Sequence, residues 1–562
     1  MRGTAANTGL VALLLSAGCY SGFSASGADG EDSVGATDSG AEGGESGTGD
    51  GTGEDPPIPE GDAAEVGVSG LRRLSITEYE RTVADLTGLM PEAVGELLPI
   101  DNLTPFDNDY TTQTPSEPLV KGLELLSGDI AEAVVADAQL RDALLPCEPT
   151  GVDDAACFEE FLSSFGRRAL RRPLTGEELT RYGILLEHGV EAGEFDAAVA
   201  AALRMFLQHP ELVYRVEIGE EVEGQPGVFR LGAYEVATRL SFFLAGTTPA
   251  PWLLDAAEAG DLDSREGIAA AASQLLEGDE GRTAIGRFHG LWLGYHQLAE
   301  EGLSGAMLGE TQALIERNIF DERQPWSELL TATETYVTAE LAEHYGIPEP
   351  DGGEGWVSYE ESGRGGLLSH GSFLSVGVKF GDTSPTQRGL LVRTRLFCQE
   401  IPLPADDLMV DVDEPPGADP DACKTERYYM MNEPACSSCH QLMDPIGFGL
   451  EQYDASGALR TEEPDKPECE ITGDGDFVGV GAFNGPKELG DMAVESGLVE
   501  ACASRMLYRY ATGHFELDEH DEALIERVLE DQDGTFELFG FVEAYVSSEA
   551  FRHRRELQGE GE

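Results

Sequence analysis

Five consecutive residues, Cys436-Ser437-Ser438-Cys439-His440, constrain this chain more than any other feature. Cysteines three residues apart lie on one face of a helical turn, and the next residue sets an imidazole beside them. That spacing is the attachment signature of a c-type haem. The two thiols reach the porphyrin vinyl groups, and His440 becomes the proximal iron ligand. The neighbours read as a short helix: Asn432 caps it, Pro434 suits its first turn, and Asp444-Pro445-Ile446-Gly447 ends it. A redox C-x-x-C pair is one alternative and half of a zinc site is another. The zinc reading needs a second Cys/His pair at ligand spacing, and the sequence has none.

Covalent haem attachment takes place outside the cytoplasm, so the N-terminus has to agree. Arg2 gives a thin basic region, residues 10–15 are apolar, and Ser16-Ala17-Gly18-Cys19 reads as a lipoprotein cleavage site. Ser16 stands where leucine is usual. The expectation is a signal peptide over 1–19 with Cys19 lipidated; an ordinary secretory signal is the alternative. Residues 20–70 hold no Lys or Arg and are rich in Gly, Ser, Thr, Asp and Glu, which predicts a disordered acidic tether. No other apolar run approaches the length of a membrane span, since 240–254 is interrupted by Gly246, Pro249 and Pro251. Membrane contact is therefore expected through the lipid anchor only, and the location is the bacterial cell envelope, outer-membrane-associated or periplasmic.

A net charge of −70 excludes nucleic acid as a partner, because a phosphate backbone would be repelled. It would steer a basic redox partner protein of the envelope, although solvation in a salty habitat explains the charge as well. Arg167, Arg168, Arg171 and Arg172 are a local exception, read as pairing with acidic neighbours or as an anion site. Of the nine cysteines, setting aside Cys19, Cys436 and Cys439 leaves six, an even number for an oxidising compartment. Cys147 and Cys157 flank a polar loop and form the best disulfide candidate. Cys398, Cys423, Cys469 and Cys502 permit three pairings between which the sequence does not choose.

The chain beyond residue 70 has helical periodicity almost throughout. Ser75 with Glu78 and Thr175 with Glu178 form capping boxes, and Leu74 can staple to Tyr79. Helical patterns run over 119–140, 157–171, 195–217, 232–245, 265–277, 305–323 and 336–345. Ser384-Pro385 starts a helix reaching Cys398, and further helices lie near 495–511, 517–531 and 536–550. Residues 473–476 look like a turn with at most a small hairpin. The fold class is mainly α: a multi-domain helical protein with a small c-type cytochrome module and a disordered N-terminal tether.

These motifs, taken in order, resemble a family. Residues 71–74 with 85–88, the Phe165–Leu174 stretch, Gln208-His209-Pro210-Glu211 with 239–244, residues 366–368 and 383–389 with the haem motif, and 483–486 with 508–513 are similar to successive modules of one group. That group is the multi-domain exported proteins of planctomycetes and myxobacteria, built from domains of unknown function around a planctomycete-type cytochrome c segment. The resemblance implies modules over 71–145, 146–220, 221–362, 363–460 and 461–562. It implies an exported c-type haem protein and no named reaction. His514 occupies a place where the family pattern usually has Arg.

One covalent haem c is thus the expected cofactor. Met443 is too near His440 in sequence to reach the opposite face of a porphyrin. Met506 and His514 are the candidate distal ligands, with Met409, Met430, Met431 and His370 weaker. The backbone around Pro445 is expected to accept the second ring N–H of His440, Phe448 to cover a haem edge, and Arg388 to pair with a propionate, with a surface or interdomain ion pair as its alternative. The leading reading is electron transfer. The alternatives are a haem-dependent redox enzyme with an open iron position and a surface-binding lipoprotein with accessory haem. Trp252, Trp292, Trp326 and Trp356 read as core residues. G-x-S-x-G, H-E-x-x-H and phosphate-loop patterns are all missing from the sequence.

Overall fold

The computed structural model describes residues 66–556 apart from positions 93, 104, 361, 380, 402–418, 420, 430–435, 465 and 516. The signal peptide, Cys19 and most of the tether lie outside the described residues. The tether does not extend to residue 70, however. Val66 is buried, Val68 bridges in parallel to Arg555, and the Ser69 amide donates to the Arg555 carbonyl at 3.1 Å. The packed body therefore begins by Val66.

The fold is mainly α, as the periodicity requires, with sheets of only two or three short strands. Both capping boxes form: Ser75 and Glu78 start the helix Ile76–Thr87, and Thr175 and Glu178 start Gly176–Gly183. Leu74 and Tyr79 are both buried in the same core, as a staple demands. The helix at Arg265–Glu277 has the expected bounds.

Elsewhere the structure corrects the periodicity. The pattern over 195–217 breaks at Gln208, because Pro210 forces His209 out of the helical region and starts a new turn, Pro210–Val213. The stretch 336–345 is not one helix. Glu334–Thr338 is a strand paired with Glu354–Ser358, burying Thr335 and Val337 at period two, and the helix starts only at Ala339 behind its Thr338 cap. Residues 473–476 are not a turn. Asp474–Phe477 pairs with Gly481–Asn484, and a second hairpin joins Glu462–Glu463 to Lys466–Glu470.

Two large cores hold the body together. One gathers helices between Leu74 and Phe242; the other runs from Phe106 to Phe551 and includes Ile446 and Leu450, which follow the Cys436–His440 motif. Trp292 and Trp326 are fully buried in it with ring centroids 4.7 Å apart, while Trp252 and Trp356 pack against it half-buried. The four arginines of 167–172 bind across elements and not along their own helix. Arg167 pairs with Asp255 and Glu258, and Arg172 with Glu178 and Glu211. Arg171 donates to the carbonyls of Glu211, Leu212 and Tyr214, and Arg168 to that of Asp85. These partners account for the charges without an anion.

Two helices position the region of interest, Pro385–Leu391 and Ser437–Phe448. Ser384 caps the first and Pro385 takes its first position; the chain then continues as a π-turn over Val392–Leu396. The second does not end at Asp444-Pro445. It runs through Pro445 to Phe448, giving up the hydrogen bond that a proline nitrogen cannot make. Packing supplies the compensation. Gly389 lies against the Met443 carbonyl, and Gly447 lies against the Pro385 carbonyl. A Cβ at either glycine would overlap main chain, so the two backbones meet in a reciprocal contact that only glycine permits. We expect Gly447→Ala to destabilise the protein by about 1–3 kcal/mol through overpacking, seen as a lower denaturation midpoint with an unchanged slope; an unchanged midpoint would disprove the contact.

Candidate functional site

The Cys436–His440 motif opens the Ser437–Phe448 helix. Cys436 occupies its cap, and its carbonyl accepts from the Cys439 and His440 amides at 3.3 and 3.1 Å. Three disulfides form: Cys147–Cys157 as expected, Cys398–Cys502 and Cys423–Cys469. They settle the pairing that sequence left open and do not include Cys436 or Cys439, both half-buried. Cys423, Cys469 and Glu463 bring three donor atoms within 4.8 Å of one another, but the two sulfurs are already bonded to each other. That cluster is therefore a disulfide and not a metal centre.

His440 donates through Nδ1 to Asp444 Oδ2 at 2.9 Å, one helical turn on. Asp444 is buried, and its other oxygen accepts from Thr386 Oγ1 at 2.7 Å. The ring is thus fixed from the neighbouring helix, and Nε2 is the nitrogen left for a ligand. The expected acceptor, the backbone around Pro445, is not used. A carboxylate four residues along a helix faces the imidazole directly, whereas the carbonyls there serve the helix itself. The i, i+4 spacing of His440 and Asp444 was readable in the sequence and was missed.

Arg388 is not at an open face. It is 1% exposed and donates to Glu451 Oε1 and to the carbonyls of Leu374, Leu450, Tyr453 and Asp454. Glu451 in turn accepts from Lys424, Arg460 and Thr383 at 2.7–2.8 Å. Burial opposes the charge on neighbouring Asp382, but Lys424 and Arg460 overcome it and hold the carboxyl at about 2. Arg388 is the inner member of this network, so a propionate would have to displace main-chain partners. Phe448 packs edge-on to Tyr428 with centroids 6.4 Å apart.

The proposed distal ligands have other neighbours. Met506 is buried in the large core, with Sδ 4.0 Å from Arg509 Nη1 on the helix that carries Cys502. His514 is buried beside Arg72, Tyr508 and Asp521, with Nε2 3.4 Å from Asp521 Oδ2 and the Tyr110 ring 5.7 Å away. Met409, Met430, Met431, Asn432 and Pro434 lie outside the described residues.

Family models match four stretches of the chain, each described as a protein of unknown function: DUF1587 over residues 72–136, DUF1595 over 157–217, DUF1592 over 231–347 and DUF1588 over 364–463. The last carries a cytochrome-type name and contains the motif at 436–440. The chain belongs to the planctomycete-type multi-domain family built from these modules. No curated protein and no solved structure matches it. Gln208–Glu211, read above with the large third module, falls within the second match.

At the start of the cytochrome-type module, His370 is enclosed and not presented to a ligand. It is fully buried, with Nδ1 2.9 Å from Thr311 Oγ1 and Nε2 3.6 Å from Glu310 Oε1. Glu310 accepts from Thr335 and Tyr345 at 2.6 and 2.7 Å, yet burial outweighs those bonds and pushes its carboxyl up to about 7. Burial, with Arg364 nearby, lowers His370 to about 3, so the imidazole stays neutral. Between pH 4.5 and 7 the folded protein holds a proton on Glu310 that the unfolded chain has released. This contribution is complete at the acid end and is lost as pH rises to 7, amounting to about 3 kcal/mol. Glu310→Gln keeps the acceptor and offers His370 Nε2 a donor. Thermal unfolding at pH 5 and pH 8 should show the wild type losing stability relative to the variant at the higher pH. Parallel pH profiles would contradict the assignment.

Proposed function

We propose that this is an exported cytochrome-type protein that holds one haem c covalently through Cys436 and Cys439, with His440 Nε2 as the proximal iron ligand, and that it moves single electrons in the cell envelope. The observation that carries this reading is the Thr386–Asp444–His440 chain, centred on the buried Asp444 carboxylate, which fixes one ring nitrogen of His440 next to Cys436 and Cys439. A bound haem would supply reversible one-electron chemistry. Asp444 would hold the imidazole in a single tautomer and make it a stronger donor.

Three disulfides are the mark of an oxidising compartment. Among the described residues no helix is long and apolar enough to cross a membrane. Both fit anchoring by lipid at Cys19, with the acidic segment behind it as a tether. A net charge of −70 suits a basic redox partner, with encounter rates that fall as salt rises. A haem-dependent redox enzyme is the second reading. It is favoured by Met506 and His514, which are both engaged in interior contacts of their own.

Protein matured in a host competent for c-type attachment should give a c-type pyridine haemochrome, and Cys439→Ala should lose most of the covalent haem; absence of that band in the wild type would overturn the proposal. Cyanide binding by the ferric protein separates the readings: indifference supports electron transfer and ready binding supports the enzyme. Asp444→Asn should raise the reduction potential, by roughly 60 mV for each tenfold weakening of the ferric state relative to the ferrous. An unchanged potential would show that Asp444 has no hold on the ligand.

A further inference from the structure

Trp252 is placed unlike the other tryptophans. Trp292 gives its indole N–H to the Arg395 carbonyl at 2.6 Å, and Trp326 gives its own to His289 Nε2 at 2.9 Å. The Trp356 ring is covered by the Arg317 guanidinium, 3.5 Å from its centroid. Trp252 is half-buried with part of its ring on the large core. Among the described residues no ring or guanidinium covers it, and its N–H has no partner yet stays open to solvent. An indole held in this way suits a ligand that is apolar on one side and polar at its edge.

Trp252 lines a cleft of about 270 Å3 where three of the family-matched stretches meet. Asp85 comes from the first, Arg168 from the second, and Thr247, Thr248, Gln274 and Glu280 from the third. Junctions of this kind are favoured places for binding sites. The walls are tied together. Thr247 Oγ1 donates to Asp85 Oδ2, Thr248 Oγ1 donates to the Arg168 carbonyl at 3.1 Å, and Arg168 donates to the Asp85 carbonyl. Asp85 is exposed and keeps its other carboxylate oxygen free to accept. Gln274 and Glu280 are also exposed, with no protein partner among the described residues. A ligand in the cleft can therefore reach all three.

We propose that this cleft binds one ring of a neutral glycan built of glucose-type pyranoses, with a C–H face on the Trp252 indole and hydroxyls bonded to Asp85, Gln274 and Glu280. The lining selects that class. It offers two carboxylates as acceptors and the indole N–H and Gln274 amide as donors, and a hydroxyl serves both kinds. Asp85 and Glu280 outnumber Arg168 in a chain of net charge −70, so an anion is disfavoured. Arg168 in the same wall opposes an organic cation. A wholly apolar compound would strip water from the carboxylates and replace none of their bonds. Equatorial hydroxyls project around a pyranose edge and leave C–H bonds on its faces, which matches one indole with polar groups beside it. The volume lies just below the about 300–1,000 Å3 of pockets for drug-sized ligands, and so suits a single ring. This site is independent of haem at Cys436 and Cys439.

The test is titration of the full chain with cellotetraose, followed by tryptophan fluorescence and by calorimetry. Saturable binding with a change in emission is expected. Trp252→Ala should weaken it at least about tenfold. Gln274→Ala and Glu280→Ala, at exposed positions that leave the unfolding temperature unchanged, should each weaken it about fivefold. No saturable binding of cellotetraose, or undiminished affinity in the folded protein carrying both Gln274→Ala and Glu280→Ala, would overturn the site. Undiminished affinity in folded Trp252→Ala would overturn the stacking. Tighter binding of the anionic trigalacturonate or of the cationic glucosamine tetramer would overturn the ligand class.

Discussion

Glu451 is the point on which the cytochrome-type module is built. One buried carboxylate joins Arg388 from the Pro385–Leu391 helix, Lys424 from the segment tied down by Cys423–Cys469, and Arg460 from the turn that follows. Arg388 also donates through Nη1 and Nη2 to four main-chain carbonyls, three of which, Leu450, Tyr453 and Asp454, belong to the turn around Glu451 after the motif helix. Removing the carboxylate would leave buried cations facing one another, which costs several times what an exposed pair is worth. The network is therefore a device for fixing geometry: it sets where the motif helix ends and how that end sits on its neighbour.

The same device recurs across the molecule. Glu217 is held ionised at about 2 against its own burial by Arg239 and Arg72. Arg239 reaches on to the carbonyls of Phe551 and His553, so the first strand, the large module and the C-terminal strand meet at one carboxylate. Arg395 clasps the carbonyls of Leu291 and Trp292, while the Trp292 indole donates back to the Arg395 carbonyl at 2.6 Å. A chain with 36 basic and 106 acidic residues has spent many of its scarce cations in the interior. The guanidinium suits that use, because its fork of donors can satisfy several carbonyls at once. The acidic excess is then left to the surface.

Much of this was legible in the sequence, and the losses have physical reasons. Capping boxes, Ser384-Pro385 and the helix at 265–277 are local signals whose partners lie within one turn, and they survive folding. The strand at 334–338 was lost because Thr-Tyr-Val-Thr abuts a true helix, and a helical period fits the combined run. Pro445 read as a terminator because its local cost is certain, whereas the compensating Gly389 and Gly447 contacts lie in another element. Arg388 was read both as a propionate partner and as an ion pair; the structure pairs it with Glu451, and nothing local announces a partner sixty-three positions on. The six disulfide candidates were picked out correctly by elimination, but only the fold could choose Cys398–Cys502 across 104 positions.

Continuing the helix through Pro445 has a consequence for the site. Were the helix to stop at Asp444, that residue would sit in a frayed last turn, and its carboxylate could not hold His440. With the helix carried to Phe448, Asp444 lies mid-helix, buried, one turn from His440 and opposite Thr386. The reciprocal glycine contact sets the separation of the two helices, and the Arg388–Glu451 network sets their register. Thr386 can reach Asp444 only when both are right. The orientation of one imidazole thus depends on main-chain contacts several turns away. A short motif on a helix that proline would otherwise end is in this way held rigid.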